Sequence, residues 1–180
     1  GMDTLVSELS MLSKLSLDKV PFYFEKIKAK DFFEEYTAYA ADTLGEAGIE
    51  FIYNFECDKD REINIDPAQF RRVLNNLIDN SRKYGAEDGT AKIMLSVRNG
   101  ENGHTEISIE DNGQGVPADE RDKIFETFYR GDKARTGHKN GSGLGLAITK
   151  QITDRHGASI RADESELGGL KVIIDLPQAK

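Results

Sequence analysis

Asn76, Asn80 and Lys83 are residues whose types and spacing could support chemistry. They lie at positions i, i+4 and i+7 of a predicted helix, so their side chains share one face. A carboxamide oxygen is a hard, neutral ligand that suits Mg²⁺ when phosphates supply the negative charge, and an ammonium group attracts phosphate as a point charge. The pattern indicates a site for a metal-bound phosphate, although the same residues would also suit a helix face that is merely solvated.

A second cluster, formed by Asp111, Gly113 and Gly115, follows a predicted strand. Ile107 and Ile109 alternate along that strand, and Asp111 continues their two-residue period, so its carboxylate should point toward the core. A buried carboxylate is costly unless it is hydrogen-bonded, and the exocyclic amine of adenine would be a suitable donor. The glycines would let a flat ring approach the backbone. The alternative is an acidic turn whose glycines serve only the backbone conformation.

A third cluster consists of glycines at positions 141, 143 and 145, which lead into a predicted helix. A glycine-rich turn at a helix N-terminus presents free N–H groups and a partial positive charge, which favour phosphate. The loop before it is basic in an otherwise acidic chain; its cations are Arg130, Lys133, Arg135 and Lys139. The alternative is a flexible, solvated loop.

The elements that must position these clusters mix helical and strand periodicity. Helices are predicted over residues 3–17, 31–46, 67–83, 117–128 and 144–156, and strands over residues 22–27, 49–55, 91–97, 106–110, 160–163 and 170–176. At least two strand pairs are antiparallel hairpins, one of them around Gly168 and Gly169. The mixture indicates an α+β fold in which helices cover one face of a mixed sheet.

The helix that carries the asparagines has a strong start signal. Asp66 is a suitable N-cap, Pro67 occupies the first helical position, and Gln69 could complete a capping box. We therefore expect this helix to begin at Pro67. The predicted buried stripe consists of Phe70, Val73, Leu74, Leu77 and Ser81.

Charge and composition exclude several functions. The chain has 180 residues and a net charge of −8, which argues against binding nucleic acid or an anionic membrane through the overall field. Cys57 is the only cysteine, so no intrachain disulfide can form. No apolar run approaches the roughly 20 residues that span a bilayer. We expect a soluble piece of a longer protein, with Gly1 as a remnant of tag removal.

The first predicted helix has two interpretations. Leu5, Leu9 and Leu12 recur at four-three spacing, and Leu15 and Leu17 follow closely. This periodicity suits a helix packed on its own domain, and it equally suits the tail of a longer helix from a dimeric bundle.

The ordered clusters resemble the four boxes of the histidine-kinase branch of the GHKL ATPase superfamily. Residues 76–84 are similar to the N box, 111–115 to the G1 box, 125–130 to the F box and 141–146 to the G2 box. The resemblance covers about residues 22–176. It implies the Bergerat fold, a two-layer α/β sandwich with a mixed sheet backed by helices, here preceded by a short N-terminal helix. In this fold ATP lies between the helices and a mobile lid.

The resemblance also implies roles for individual residues. Asn80 should hold Mg²⁺ with Asn76 beside it, and Lys83 should contact phosphate. Tyr84 should flank the nucleotide, and Asp111 should accept from the adenine amine. The other implied nucleotide-binding residues are Gly113, Gly115, Phe125, Phe128, Arg130, Gly141, Gly143, Leu144 and Gly145. Among these, the two phenylalanines should anchor a lid over residues 129–142.

The implied activity is transfer of the ATP γ-phosphate to a histidine on a separate domain. Relatives that hydrolyse ATP place a glutamate at the position of Asn76, and an amide cannot act as that general base. His104, His138 and His156 do not resemble the family's acceptor, so we expect each to be a surface or capping residue. Residues 1–18 would be the tail of the dimerisation and phosphoacceptor helix, and residues 19–178 the ATP-binding catalytic domain.

The implied partners are the dimerisation and phosphoacceptor domain of the same kinase and the receiver domain of a response regulator. We expect this fragment to bind no nucleic acid, to make no membrane contact and to be monomeric. We also expect it to lie in the cytoplasm, within a parent protein that could be anchored in the inner membrane. Two other functions fit the same boxes. One is a nucleotide-binding regulatory module that controls a response regulator's phosphorylation, and the other is an anti-sigma-type serine kinase, against which the first helix argues.

Overall fold

A computed structural model describes residues 2–86, 88–127, 129 and 143–180. The helices are α1 (Met2–Ser16), α2 (Ala29–Glu46), α3 (Pro67–Tyr84) and α4 (Gly145–Arg155). The strands are β1 (Glu25–Lys28), β2 (Glu50–Glu56), β3 (Glu62–Ile65), β4 (Lys92–Asn99), β5 (Thr105–Asp111), β6 (Ser159–Glu164) and β7 (Leu170–Leu176). Within the described ranges, no helix is both long and apolar enough to cross a membrane.

A five-stranded mixed sheet forms one layer, with strand order β2-β4-β5-β7-β6. β2 runs parallel to β4, and the other neighbouring pairs are antiparallel. Leu95 pairs with Ile109 and Ile93 pairs with Asp111, so these side chains share one face of the sheet. They are buried together with the apolar faces of α2, α3 and α4. The arrangement confirms the predicted α+β fold, a mixed sheet packed against helices.

Three predicted elements need correction. A single helix was predicted over residues 117–128, but the described residues 117–127 instead contain two 3-10 turns, Ala118–Glu120 and Lys123–Phe125. The segment lacks an apolar stripe, because Ile124 alone is buried in these turns, so no packed face sustains an α-helix. α2 begins at Ala29 rather than after Asp31, which instead lies in the first turn, where a negative charge is favourable.

The strand predicted over residues 22–27 is β1, which begins only at Glu25 and pairs with β3, a strand that the sequence did not predict. Phe22 and Phe24 stack on each other and pack edge-on against His156, so they serve a side-chain cluster rather than a strand ladder. β3 is only four residues long, which is too short for its alternation to stand out.

The start of α3 uses only half of the predicted capping box. Asp66 Oδ1 accepts from the Gln69 N–H at 3.0 Å, as expected for an N-cap. The side-chain oxygen of Gln69 has no hydrogen-bond partner among the described residues. The Asp66 N–H, which that oxygen would have accepted, donates instead to Nε2 of His156 at 3.1 Å. Asp66 Oδ2 also accepts from the Tyr23 N–H at 2.9 Å, so one aspartate joins the helix start to the segment before β1.

His156 is the C-cap residue of α4, which confirms the capping role predicted as one of its two alternatives, and it is buried rather than at the surface. Its Nδ1 lies 2.8 Å from the carbonyl oxygen of Ile152, which can only accept, so Nδ1 carries the proton and Nε2 is free to accept from Asp66. Burial lowers the pKa of His156 below its ordinary range, against the opposing effects of the Ile152 carbonyl and Asp66. Protonation of His156 at Nε2 would place a second N–H donor against the Asp66 N–H and break this hydrogen bond.

We predict that this histidine makes the fold acid-sensitive. The unfolded chain binds a proton at about pH 6.5, whereas folded His156 resists protonation, so its stabilising contribution is complete above that pH and is lost as pH falls through the lowered pKa. The free energy of unfolding should fall by up to about 1.4 kcal/mol per pH unit in this window. Chemical denaturation at a series of pH values measures it.

His156→Gln should flatten this slope while lowering stability at neutral pH. His104→Gln is the matched control, because His104 is a partly exposed residue paired with Asp175 and does not touch this cluster. An equal acid-side slope in the wild type and in His156→Gln would contradict the assignment.

Candidate functional site

The polar face of α3 lies against the beginning of α4. Asn76 donates from Nδ2 to the Gly145 carbonyl at 3.2 Å and to Thr149 Oγ1 at 3.4 Å. The amide nitrogen is therefore committed to joining the two helices, and Oδ1 is the atom that remains for a ligand. The N-box and G2-box segments, far apart in the sequence, meet through this side chain.

Asn80 and Lys83 lie on the same side of α3, one and two turns further along. Asn80 is half-buried, and its carboxamide makes no hydrogen bond to any described residue. Lys83 is exposed at the C-terminal end of the helix. A half-buried amide oxygen with no hydrogen-bond partner among the described residues fits the ligand set that Mg²⁺ takes when phosphates complete its coordination. In the described part of the chain, no group of three or more His, Cys, Asp or Glu side chains is placed to hold a metal ion by itself.

Asp111 ends β5 with its carboxylate in the interior, as the strand period predicted; only 3% of the residue is exposed. Its Oδ1 accepts from the N–H groups of Gly113 at 2.9 Å and Leu170 at 3.2 Å. Burial raises the pKa of Asp111 above its usual range, while these two N–H donors oppose the increase. The carboxylate is thus a buried acceptor held by two backbone donors.

Two glycines allow the backbone to close around this carboxylate. A Cβ on Gly169 would overlap Asp111 Oδ1 and come within 2.6 Å of both the Asp111 carbonyl oxygen and the Gly113 nitrogen. A Cβ on Gly113 would overlap the Tyr84 carbonyl oxygen and lie 2.7 Å from Gly85 Cα. Gly113 is thus required for the close approach of the G1 turn to the end of α3, and Gly115 has a φ of +70° that favours glycine.

Hydrogen bonds join the G1 turn to the end of α3 and to the start of β4. The Gln114 N–H donates to the Tyr84 carbonyl at 3.3 Å, which places half-buried Tyr84 beside the turn. Asn112 accepts from the Lys92 N–H at 2.8 Å and donates to the Thr90 carbonyl at 2.7 Å, so it fixes the turn to the start of β4.

The beginning of α4 carries the last part of the G2 motif. Gly143 has a φ of +74°, Leu144 is fully buried, and Gly145 begins the helix. Leu144, the N-cap residue, has no side-chain acceptor for the first-turn N–H groups, so these groups are not capped from the position that usually supplies a cap. The helix start thus has the polarity that attracts an anion.

Part of the predicted site lies outside the described residues. Phe128, Arg130 and Gly141 belong there, with nearly all of the predicted lid over 129–142. Phe125 is described: it is partly buried and packs against the core, as expected of a lid anchor. Tyr129 donates its hydroxyl hydrogen to Glu120 at 2.7 Å.

Sequence reasoning missed the contribution of the β6–β7 hairpin. The sequence predicts Gly168 and Gly169 only as turn residues, yet Gly169 and Leu170 enclose Asp111. A glycine pair indicates either a turn or a close approach, and the sequence gives no means of choosing between them.

The comparisons with known proteins agree with this geometry. A family model described as histidine kinase-, DNA gyrase B-, and HSP90-like ATPase matches residues 65–180. Sensor histidine kinase WalK of Bacillus subtilis (strain 168) is 37% identical over 176 residues, which cover 98% of this chain and 28% of the relative. Sensor protein kinase WalK of Staphylococcus aureus is 42% identical over 112 residues, 62% of this chain and 27% of the relative. The chain thus spans less than a third of the length of these two relatives.

Solved structures share the fold. The mycobacterial sensor histidine kinase MprB aligns with a TM-score of 0.69 at 26% identity, over 87% of this chain and 98% of that chain. Full-length ShkA, solved in complex with AMPPNP, aligns with a TM-score of 0.79 at 23% identity, over 98% of this chain and 36% of that chain. These likenesses confirm the two-layer arrangement.

The close approach of Gly169 leads to a prediction. Gly169→Ala should destabilise the domain by about 1–3 kcal/mol, because the new methyl group meets backbone and carboxylate atoms that cannot rotate away. Gly45→Ala is the matched control, since a Cβ there meets nothing within 4 Å and alanine favours the helix by roughly 0.5–1 kcal/mol. Urea denaturation of both variants measures the difference, and equal stability would contradict the packing described.

Proposed function

This chain belongs to the family of histidine kinase-, DNA gyrase B- and HSP90-like ATPases, and we propose that it transfers the γ-phosphate of ATP to a histidine on a separate domain. It is the ATP-binding catalytic domain of a sensor histidine kinase, as identity with relatives of that class over 98% of the chain indicates. The phosphotransfer itself, the residues that perform it and the partners belong to the proposal.

The observation that carries the proposal is the buried Asp111 carboxylate beside the polar face of α3. Oδ1 receives two backbone N–H groups, so Oδ2 is left to face a ligand donor such as the exocyclic amine of adenine. From Asp111 the polar face of α3 leads through Asn80 to Asn76 and the start of α4. A nucleotide whose base contacts Asp111 would place its phosphates along that path. ShkA, which shares the fold, was solved with AMPPNP, and this supports the assignment.

Phosphate and metal binding follow from the donor set. Asn80 offers the uncommitted amide oxygen, and Asn76 offers Oδ1 beside it, so these residues would hold Mg²⁺ bound to the phosphates. When bound, Mg²⁺ would neutralise charge that develops on the transferred group. Lys83 and the α4 N-terminus, with Gly143, would contact phosphate oxygens.

Among the described residues, no general base stands at the phosphate end of this path. Asn76 uses its amide nitrogen to bind α4 and cannot take a proton from water near neutral pH. The bound nucleotide would therefore be hydrolysed slowly and preserved for an imidazole that a partner domain supplies. Catalysis would rest on positioning and charge stabilisation.

The properties of α1 support the proposal that residues 1–18 are the tail of the dimerisation and phosphoacceptor helix. Leu12 and Leu15 are buried against the catalytic domain, which the first interpretation of this helix requires. Leu5 and Leu9 are nevertheless 39% and 47% exposed, and Val6 is 66% exposed, which suits a helix whose other face packs in a bundle. A response-regulator receiver domain would be the next acceptor of the phosphate.

The end of α1 is held to the catalytic domain by Arg155, at the C-terminal end of α4. Arg155 pairs with Asp18 and donates from Nη2 to the Leu15 carbonyl at 2.6 Å. Because α4 begins beside the proposed phosphate site, a single helix joins that site to the acceptor-domain tail. This connection favours a kinase that works with an adjoining acceptor over a free-standing serine kinase.

We predict that Asn80→Ala abolishes phosphotransfer. When the wild type, radiolabelled Mg-ATP and a phosphoacceptor domain of the histidine kinase family are mixed, acid-labile phosphohistidine should form. Asn80→Ala should reduce its rate about 100-fold or more, because the phosphates lose a metal-binding oxygen. Asp79→Ala is the matched control, since Asp79 is an exposed neighbour on the same helix.

The label also separates the competing functions. Acid-stable phosphoserine would indicate a serine kinase. ATP binding without any transfer, followed by faster dephosphorylation of a receiver domain, would indicate a regulatory module. An Asn80→Ala rate equal to that of the wild type would contradict the assigned metal site.

A further inference from the structure

Glu110 is a second buried carboxylate, next to Asp111. It directly precedes Asp111 on β5, so its side chain lies on the opposite face of the sheet. Only 2% of the residue is exposed, and a buried carboxylate is costly unless a donor pairs with it. The Ser165 hydroxyl is that donor, because its Oγ lies 3.0 Å from Glu110 Oε1. Ser165 is itself buried.

Ser165 is the first residue of the turn between β6 and β7, and its polar groups close that turn. Its hydroxyl oxygen accepts from the Leu167 N–H at 2.9 Å while the hydroxyl hydrogen goes to Glu110. Its backbone N–H donates to the Gly169 carbonyl at 2.9 Å, and its carbonyl accepts from the Gly168 N–H at 3.0 Å. One serine therefore closes the turn and also attaches it to β5.

The end of the same turn encloses Asp111. The Gly169 N–H donates to the Asp111 carbonyl at 3.0 Å, and the Leu170 N–H donates to Oδ1 at 3.2 Å. The pairing of β5 with β7 ends at Glu110 and Lys171, so these two donors lie beyond the last paired residues of the two strands. Their position therefore depends on how the turn is held, and a shift of the turn would move the donor away from Oδ1.

We propose that the hydrogen bond between Ser165 and Glu110 positions Asp111 for nucleobase recognition. It holds the turn so that the Leu170 N–H fixes Oδ1 of Asp111, which leaves Oδ2 directed at the exocyclic amine of adenine. The inference rests on the proposed function, because it assigns the base to Asp111. Ser165 and Glu110 are positioning residues: they act through the turn, from the sheet face opposite to Asp111, and not by contact with the nucleotide.

The test compares two ligands that differ only in the amine. Calorimetry measures the affinity of the wild type and Ser165→Ala for the β,γ-imido analogue of ATP and for the same analogue of purine riboside triphosphate, which lacks the exocyclic amine. Ser165→Ala should bind the ATP analogue about threefold to tenfold more weakly, the effect of one hydrogen bond. Its affinity for the amine-free analogue should change less than about twofold, because that ligand offers no amine to Asp111.

Matched variants keep the result interpretable. Ser96→Ala removes a fully buried hydroxyl that has no partner among the described residues, so both affinities should stay at their wild-type values. Ser165→Thr retains the hydroxyl and should retain discrimination between the two ligands. Ser165→Cys keeps the side-chain size with only a weak donor, and it replaces Ser165→Ala if thermal unfolding shows that the alanine variant does not fold.

The acceptor is tested in the same way. Glu110→Ala should lose the same discrimination as Ser165→Ala, and the double variant should lose no more than either single variant, because both remove one hydrogen bond. Equal weakening for both ligands in Ser165→Ala, wild-type affinity for the ATP analogue, or additive losses in the double variant would overturn the inference.

The failure of the proposed function looks different. In that case the folded wild type would not bind the ATP analogue, or Asp111→Asn would bind it as tightly as the wild type does. If the wild type binds and Asp111→Asn does not, the proposed function stands, and only the behaviour of the Ser165 and Glu110 variants decides the role of their hydrogen bond.

Discussion

The buried carboxylate of Asp111 is the constraint on which the site depends. An ionised group in the interior is tolerated only when donors surround it, and here they come from the G1 turn and the β6–β7 hairpin. These segments must approach closely, which is why Gly113 and Gly169 lie where any side chain would collide with backbone. The sheet fixes the backbone of Asp111, because this residue is the last of the central strand β5.

The helix α3 transmits this constraint to the rest of the domain. Its first turn is capped by Asp66, which also accepts from the segment before β1 and donates its N–H to His156 at the end of α4. Its middle is joined to the start of α4 by Asn76. Both ends of α4 are therefore connected to α3, and the polar face that we assign to the phosphates lies between rigid supports. Such support is what phosphoryl transfer by positioning requires.

Local pattern was sufficient for part of this account. The burial of Asp111 follows from strand alternation, and the shared face of Asn76 and Asn80 follows from helical period, so both could be predicted. The contacts around His156 and Gly169 could not be predicted, because they join residues that are distant in the sequence. The Asp66–His156 hydrogen bond spans 90 positions, and the Asp111–Leu170 hydrogen bond spans 59. The predicted capping box failed for the same reason: a distant imidazole took the N–H that local geometry had assigned to glutamine.

The most direct test of the central claim is calorimetric titration with a non-hydrolysable ATP analogue and with its GTP counterpart, with and without Mg²⁺, on the wild type and Asp111→Asn. Thermal unfolding of both proteins confirms that they are folded. The account predicts adenine-selective binding that Mg²⁺ strengthens and that Asp111→Asn loses, because the amide presents a donor to the adenine amine. Equal binding of adenine and guanine nucleotides, or unchanged affinity in Asp111→Asn, would contradict the assignment of the base to Asp111.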